Sequence, residues 1–159
     1  MLRVISASAG SGKTYALVKD YLKIVLASDQ FLPHKQILAV TFTNKAVDEM
    51  KERIIEALMC FSNKETIGLQ KNLFNQLKKE LNLTADVLIL KSKDVITKIL
   101  HNYGGFQIST IDTFNQRLIR SFAFDLKLPI NFEVELNTDF LLEQAVESVL
   151  AKVGGDSNL

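Results

Sequence analysis

The chain has 159 residues, 47% of them apolar and 23% charged, with a formal net charge of +1. That length can bury a sizeable core, and the balanced charge excludes a global basic field, so any nucleic-acid contact has to come from a local patch. The single cysteine, Cys60, excludes a disulfide framework and fits a reducing cytosol, and no apolar run approaches the ~20 residues of a membrane span. A cytoplasmic protein with no membrane partner is expected.

Residues 2–6 open with an apolar run that predicts a short buried strand, and residues 13–27 carry apolar side chains spaced for a helix. Between them lies Ser6-Ala7-Ser8-Ala9-Gly10-Ser11-Gly12-Lys13-Thr14. Strand, glycine-rich turn and helix form the context that a phosphate-binding loop needs. Backbone N–H groups converge there on phosphate oxygens at a helix N-terminus. Gly10 and Gly12 permit close approach and positive φ. Lys13 is placed for the β/γ-phosphates of ATP or GTP, and the Thr14 hydroxyl for the Mg²⁺ shell. Ala7 stands where the general pattern has its first glycine.

After the loop, Ala16, Leu17, Tyr21, Leu22, Ile24, Val25 and Leu26 cover much of the first helix, which suggests burial on two sides. Residues 28–35 read as a polar turn around Pro33, and residues 37–41 as a second strand, apolar enough to be covered on both faces. A helix is expected over residues 45–59, capped by Thr43 or Asn44, with Ala46, Met50, Ile54 and Leu58 on its inner face. Lys51, Glu52 and Arg53 then face water. Residues 62–103 interrupt this rhythm with two predicted helices, the second capped by Thr84 and stopped at Gly104-Gly105. Val87 to Leu90 fits strand or helix; helix is favoured because Val95, Ile99 and Leu100 continue the pattern. A third strand is expected over residues 106–111 and a helix over residues 113–126, capped by Asp112 or Thr113. Residues 129–135 read as extended, and a helix starts at Thr138 with Phe140, Leu141, Ala145, Val149 and Leu150 on its apolar face, ending before a loop at Gly154-Gly155.

Three clusters carry chemistry besides the phosphate loop. Thr41-Phe42-Thr43-Asn44-Lys45 stands at the carboxyl end of the second strand, where open α/β sheets bind ligands. Its hydroxyls, amide and lysine suit a phosphate backbone, and Phe42 can offer a face to a base; equally, the run fits a polar cap with Phe42 in the core. Ser109-Thr110 with Thr113-Phe114 repeats the arrangement after the third strand. Gln116, Arg117 and Arg120 add polar groups, or a solvated face, along the next helix. Asp112 is the single candidate for a metal carboxylate at a strand end, and serves equally as a helix cap. His34 and His101 read as surface residues, and Lys78-Lys79 as a solvated face.

Taken together, the segments Ala7 to Thr14, Ile37 to Ala46 and Ile108 to Phe114 resemble motifs I, Ia and Ib of superfamily 1 DNA helicases of the UvrD/Rep type, which tolerate alanine where Ala7 stands. The loop phrase through Tyr15 and the two-helix insertion look nearer to the RecB/AddA branch of helicase-nuclease proteins. The resemblance implies a P-loop α/β fold, a parallel sheet flanked by helices, as an incomplete RecA-like domain 1A over residues 1–127 with a helical insertion at 62–103, and the start of a helical 1B subdomain over 128–159. It implies ATP and Mg²⁺ as cofactors, Lys13 and Thr14 as catalytic residues, Thr14 as the metal ligand, and Ala9, Gly10, Ser11, Gly12, Lys13, Thr14 and Tyr15 as the cofactor-binding set. Thr41, Phe42, Asn44, Ser109, Thr110, Thr113 and Phe114 are implied as a DNA track. The implied partners are single-stranded and duplex DNA and a second nuclease-helicase subunit. The family usually has histidine where Asp112 stands, and its adenine-reading glutamine has no counterpart before Ala7. The Asp-Glu strand, the arginine fingers and the second motor domain are expected beyond Leu159, the chain being read as the N-terminal part of a larger protein. The competing reading is a small self-contained P-loop kinase or nucleotide switch using Asp112.

Overall fold

A computed structural model describes residues 12–65, 67–128 and 138–155. The expected first strand, the loop residues Ala9, Gly10 and Ser11, and the extended segment around Pro129 lie outside the described residues. Helix α1 (Lys13–Ala27) begins at Gly12, whose φ of +79° is the left-handed conformation that glycine adopts without strain. One stripe of α1, formed by Val18, Tyr21, Leu22, Val25 and Leu26, is buried. Leu17 and Ile24, expected to be covered as well, are half exposed. The spacing i, i+3, i+4, i+7 therefore defines one buried face rather than two.

Strand β1 (Ala39–Thr41) is shorter than the apolar run predicted, and helix α2 (Asn44–Ser62) follows at once. Thr43 is its cap: its hydroxyl accepts the Ala46 N–H at 3.2 Å. Met50, Ile54 and Leu58 are buried as the spacing requires, joined by Val47, Ala57 and Phe61. Ala46 is only half-buried, because the core face of α2 is centred one residue further on. Lys51 does not simply face water; its ammonium sits 5.5 Å from the centre of the Tyr103 ring.

The two helices expected between the strands are α3 (Lys71–Glu80) and α4 (Ala85–His101). The segment around Val87 is helical, opened by Thr84, whose hydroxyl accepts the Val87 N–H at 3.4 Å. Leu73, Phe74 and Leu77 of α3 and Leu88, Val95, Ile96 and Ile99 of α4 join the buried face of α2 in one core, where Phe61 and Phe74 meet edge-to-face at 5.3 Å. A short 3₁₀ turn then leads through buried Gly105 into β2 (Ile108–Thr110), which pairs parallel with β1. The register sets Ala39 against Ile108, Val40 against Ser109 and Thr41 against Thr110.

Helix α5 (Ile111–Ser121) starts two residues earlier than the sequence suggests. Thr110 is what starts it: its hydroxyl accepts the Thr113 N–H at 3.2 Å and meets the Thr113 hydroxyl at 2.9 Å. Neither Asp112 nor Thr113 is the cap; Asp112 lies in the first turn, where the helix dipole favours an acid. Contacts divide the chain into units of residues 1–114 and 115–159. In the second, helix α6 (Thr138–Gly155) continues through both glycines that were expected to stop it. Phe140, Leu141 and Val149, expected on its apolar face, are 47%, 46% and 60% exposed.

Candidate functional site

Two strand ends and one helix head hold the residues singled out by sequence. At the head of α1, Gly12 and Thr14 are described, and Thr14 is half-buried in the first turn. The residues present suit an anionic group. The first turn of α1 contains no acid, and among the described residues nothing lies within 4 Å of the position that a Gly12 Cβ would occupy. First-turn N–H groups of a helix suit phosphate oxygens, with the helix dipole behind them. The Tyr15 side chain points elsewhere: its hydroxyl donates to Gln76 Oε1 of α3 at 3.1 Å. Among the described residues no cluster of three histidine, cysteine or acidic side chains can hold a metal ion. Thr14 is the described residue of the expected metal shell.

The parallel register brings the other two clusters together. Since Thr41 pairs with Thr110, the turns that follow β1 and β2 emerge side by side at the same end of the sheet. Thr41 Oγ1 donates to the Thr43 carbonyl at 3.1 Å, closing the first turn, and Thr43 caps α2. Phe42 projects from this turn and is 86% exposed, so the alternative that placed it in the core does not hold. A phenyl ring held outward by a capped turn is available for stacking. Asn44 is exposed on the first turn of α2. On the neighbouring turn, Thr113 and Phe114 are half-buried, whereas Ser109 and Thr110 are only 6% and 7% exposed. Thr110 is thus a turn-builder, and Ser109 Oγ is buried without a hydrogen-bond partner among the described residues.

Asp112 is exposed at the start of α5. His34, expected at the surface, is fully buried, and neither ring nitrogen has a hydrogen-bond partner among the described residues. Burial holds its pKa below the ordinary histidine value; the Asn102 backbone opposes this, and Lys35 and Lys98 reinforce it. No local sequence pattern marks this burial, which comes from tertiary packing around the turn that precedes β1. His101 is exposed, as expected.

The model of the UvrD/REP helicase N-terminal domain matches residues 2–157. The chain belongs to the UvrD/REP helicase family. Among curated proteins, it is 29% identical over 154 residues to an ATP-dependent helicase/nuclease subunit of Bacillus cytotoxicus, covering 96% of this chain and 10% of that protein. It is 31% identical over 159 residues to the protein of the same name from a Thermoanaerobacter species, covering 96% and 11%. The Lactobacillus johnsonii protein of that name is 34% identical over 149 residues, covering 92% and 10%. The chain therefore spans about a tenth of the length of the curated relatives it matches. No solved structure matches it significantly. The membership accords with the helix-rich α/β architecture and its parallel strands, and none of the described helices is long and apolar enough to cross a membrane.

Proposed function

We propose that this chain is the ATP-binding front of a UvrD/REP-type DNA motor, within a RecA-like domain 1A whose parallel sheet carries two sites. In this reading the loop from Ala9 to Thr14 and the head of α1 bind ATP. Lys13 and Thr14 hold its β/γ-phosphates and Mg²⁺, which when bound neutralises phosphate charge during hydrolysis. The turns after β1 and β2 form a single-stranded DNA track. Phe42 offers a stacking face, Asn44 and Thr113 contact the phosphate backbone, Phe114 backs the surface, and Thr41, Ser109 and Thr110 hold the two turns in place.

The observation that carries this reading is the pairing of Thr41 with Thr110, which sets the outward Phe42 and the exposed Asn44 beside the start of α5 along one sheet end. Sheet carboxyl ends are where α/β folds bind ligands, and the absence of a general basic charge requires a local, shape-defined contact of this kind. The name shared by the relatives supports the wider reading. The whole protein couples ATP hydrolysis to translocation on single-stranded DNA and unwinding of duplex. It works in the cytoplasm, in DNA repair or recombination, beside a second subunit. Residues 128–159 begin the 1B subdomain.

The test uses two probes on the 159-residue chain. A fluorescent ADP analogue with Mg²⁺ should bind to wild type and be lost in Lys13→Ala. A labelled single-stranded oligonucleotide should bind to both. Nucleotide binding without any oligonucleotide binding, accompanied by phosphoryl transfer to a small molecule, would instead establish a self-contained kinase.

A further inference from the structure

Helix α1 is tied to α3 by three polar contacts along one stripe. Tyr15 Oη donates to Gln76 Oε1 at 3.1 Å, Lys19 Nζ to Glu80 Oε1 at 2.9 Å and Lys23 Nζ to Glu80 Oε2 at 2.8 Å. Tyr15, Lys19 and Lys23 stand one helical turn apart, as do Gln76 and Glu80. Because residue 15 meets 76 and residue 19 meets 80, the two helices run parallel along this stripe. Both oxygens of Glu80 are used, one for each lysine. Hydrogen bonds from Lys23 and then Lys19 hold its carboxyl down to about 2. Beside the stripe, Val18 and Leu22 of α1 and Leu73 and Leu77 of α3 are buried in the shared core.

This stripe begins at the residue after Thr14. A single contact would let α1 pivot; two contacts in parallel register, with Lys23 added at Glu80, resist both a slide and a rotation of its N-terminus. Exposed ties of this kind add little to global stability. Their leverage lies in orientation, because phosphate oxygens have to meet several N–H groups at once. The surroundings leave room for disorder if the tie is lost. A cleft of about 580 Å³ opens beside Tyr15, lined by Val18, Arg53, Glu56, Lys71 and Leu73.

We propose that α3 is a brace for the nucleotide-binding helix, with Gln76 and Glu80 as positioning residues that set nucleotide affinity through Tyr15, Lys19 and Lys23. The proposal rests on the nucleotide reading above and assigns the helical insertion a part in it. Linkage makes the effect reciprocal: nucleotide at the head of α1 strengthens the hold on α3.

The experiment is a double-mutant cycle on the 159-residue chain, read as the affinity for a fluorescent ADP analogue with Mg²⁺. Tyr15→Phe and Gln76→Leu should each weaken binding about five-fold, the double variant no further, and the melting temperature should barely move. Glu80→Lys should weaken binding, and Lys23→Glu in that background should restore it. Amide exchange in α3 should slow when ADP binds to wild type and not when it binds to Gln76→Leu. Wild-type binding that none of these variants changes, or losses that simply add, would overturn the brace while leaving the nucleotide site standing. Failure of wild type itself to bind overturns the nucleotide reading, and the brace with it.

Discussion

Thr41 lies directly opposite Thr110 in the parallel pairing of β1 and β2, and each hydroxyl is committed to the turn after its own strand. The two threonines are the hinge posts of the candidate DNA surface rather than its contact groups. What they present to solvent is Phe42, Asn44 and the start of α5. Each turn has a threonine hydroxyl that accepts a helix-start N–H, Thr43 for Ala46 and Thr110 for Thr113.

Thr110→Val removes the oxygen that receives the Thr113 N–H and leaves the side-chain shape nearly unchanged. Loss of such a cap costs about 1 kcal/mol. Urea unfolding should show a lowered midpoint for Thr110→Val, whereas Asp112→Asn should change stability by only about 0.3–1 kcal/mol through the helix dipole. Equal and large losses in both variants would return Asp112 to a structural role that the hydrogen bonds do not give it.

His34 supplies a pH dependence with a definite sign. Its folded pKa lies below the ordinary value because the imidazole is buried, so the unfolded chain binds a proton more readily. The stability it confers is complete above about pH 6.5 and declines as the pH falls below that value. The limiting slope is about 1.4 kcal/mol per pH unit. Glu80, being exposed, adds only a small screened share in a lower window, present above about 4.5 and lost as the pH falls towards 2. Unfolding free energies at pH 7.5 and 5.5 should differ for wild type, and the difference should shrink in His34→Gln.

Gly105 is buried where the Lys35 stem crosses the turn into β2. A Cβ there would come within 2.7 Å of Lys35 Cγ and of Asn102 Oδ1. Gly105→Ala should therefore destabilise by about 1–3 kcal/mol, the usual range for overpacking. In a Lys35→Ala background part of that loss should disappear, as a thermal denaturation cycle would reveal.

Much of this architecture was legible because local signals and the core agreed. Helix α1 runs from Lys13 to Ala27 as the apolar spacing requires, and Thr43 and Thr84 cap the helices they precede. The parallel sheet followed from two short strands separated by helices. The start of α5 was missed because Ile111 reads locally as the end of a β-branched strand, while the Thr110 hydroxyl draws the backbone into a helix. The glycines after Val153 did not end α6, since glycine weakens a helix by only about 1 kcal/mol and does not forbid it. Burial of His34 and the outward turn of Phe42 depend on tertiary packing, to which local pattern is blind. The tie from Tyr15 to Gln76 spans 61 positions and has no local signature at all. Glu80, the one acid in a lysine-rich helix, was the nearest available hint.

The most direct measurement is the affinity of wild type and Phe42→Ala for a labelled single-stranded oligonucleotide at low and moderate salt. The ring is 86% exposed, so removing it should leave the melting temperature unchanged. Affinity should fall by the ~1–3 kcal/mol that one base–aromatic stack supplies, and wild-type binding should weaken as salt rises. Binding of the two proteins that is indistinguishable, or insensitive to salt, would contradict a DNA track at the paired ends of β1 and β2.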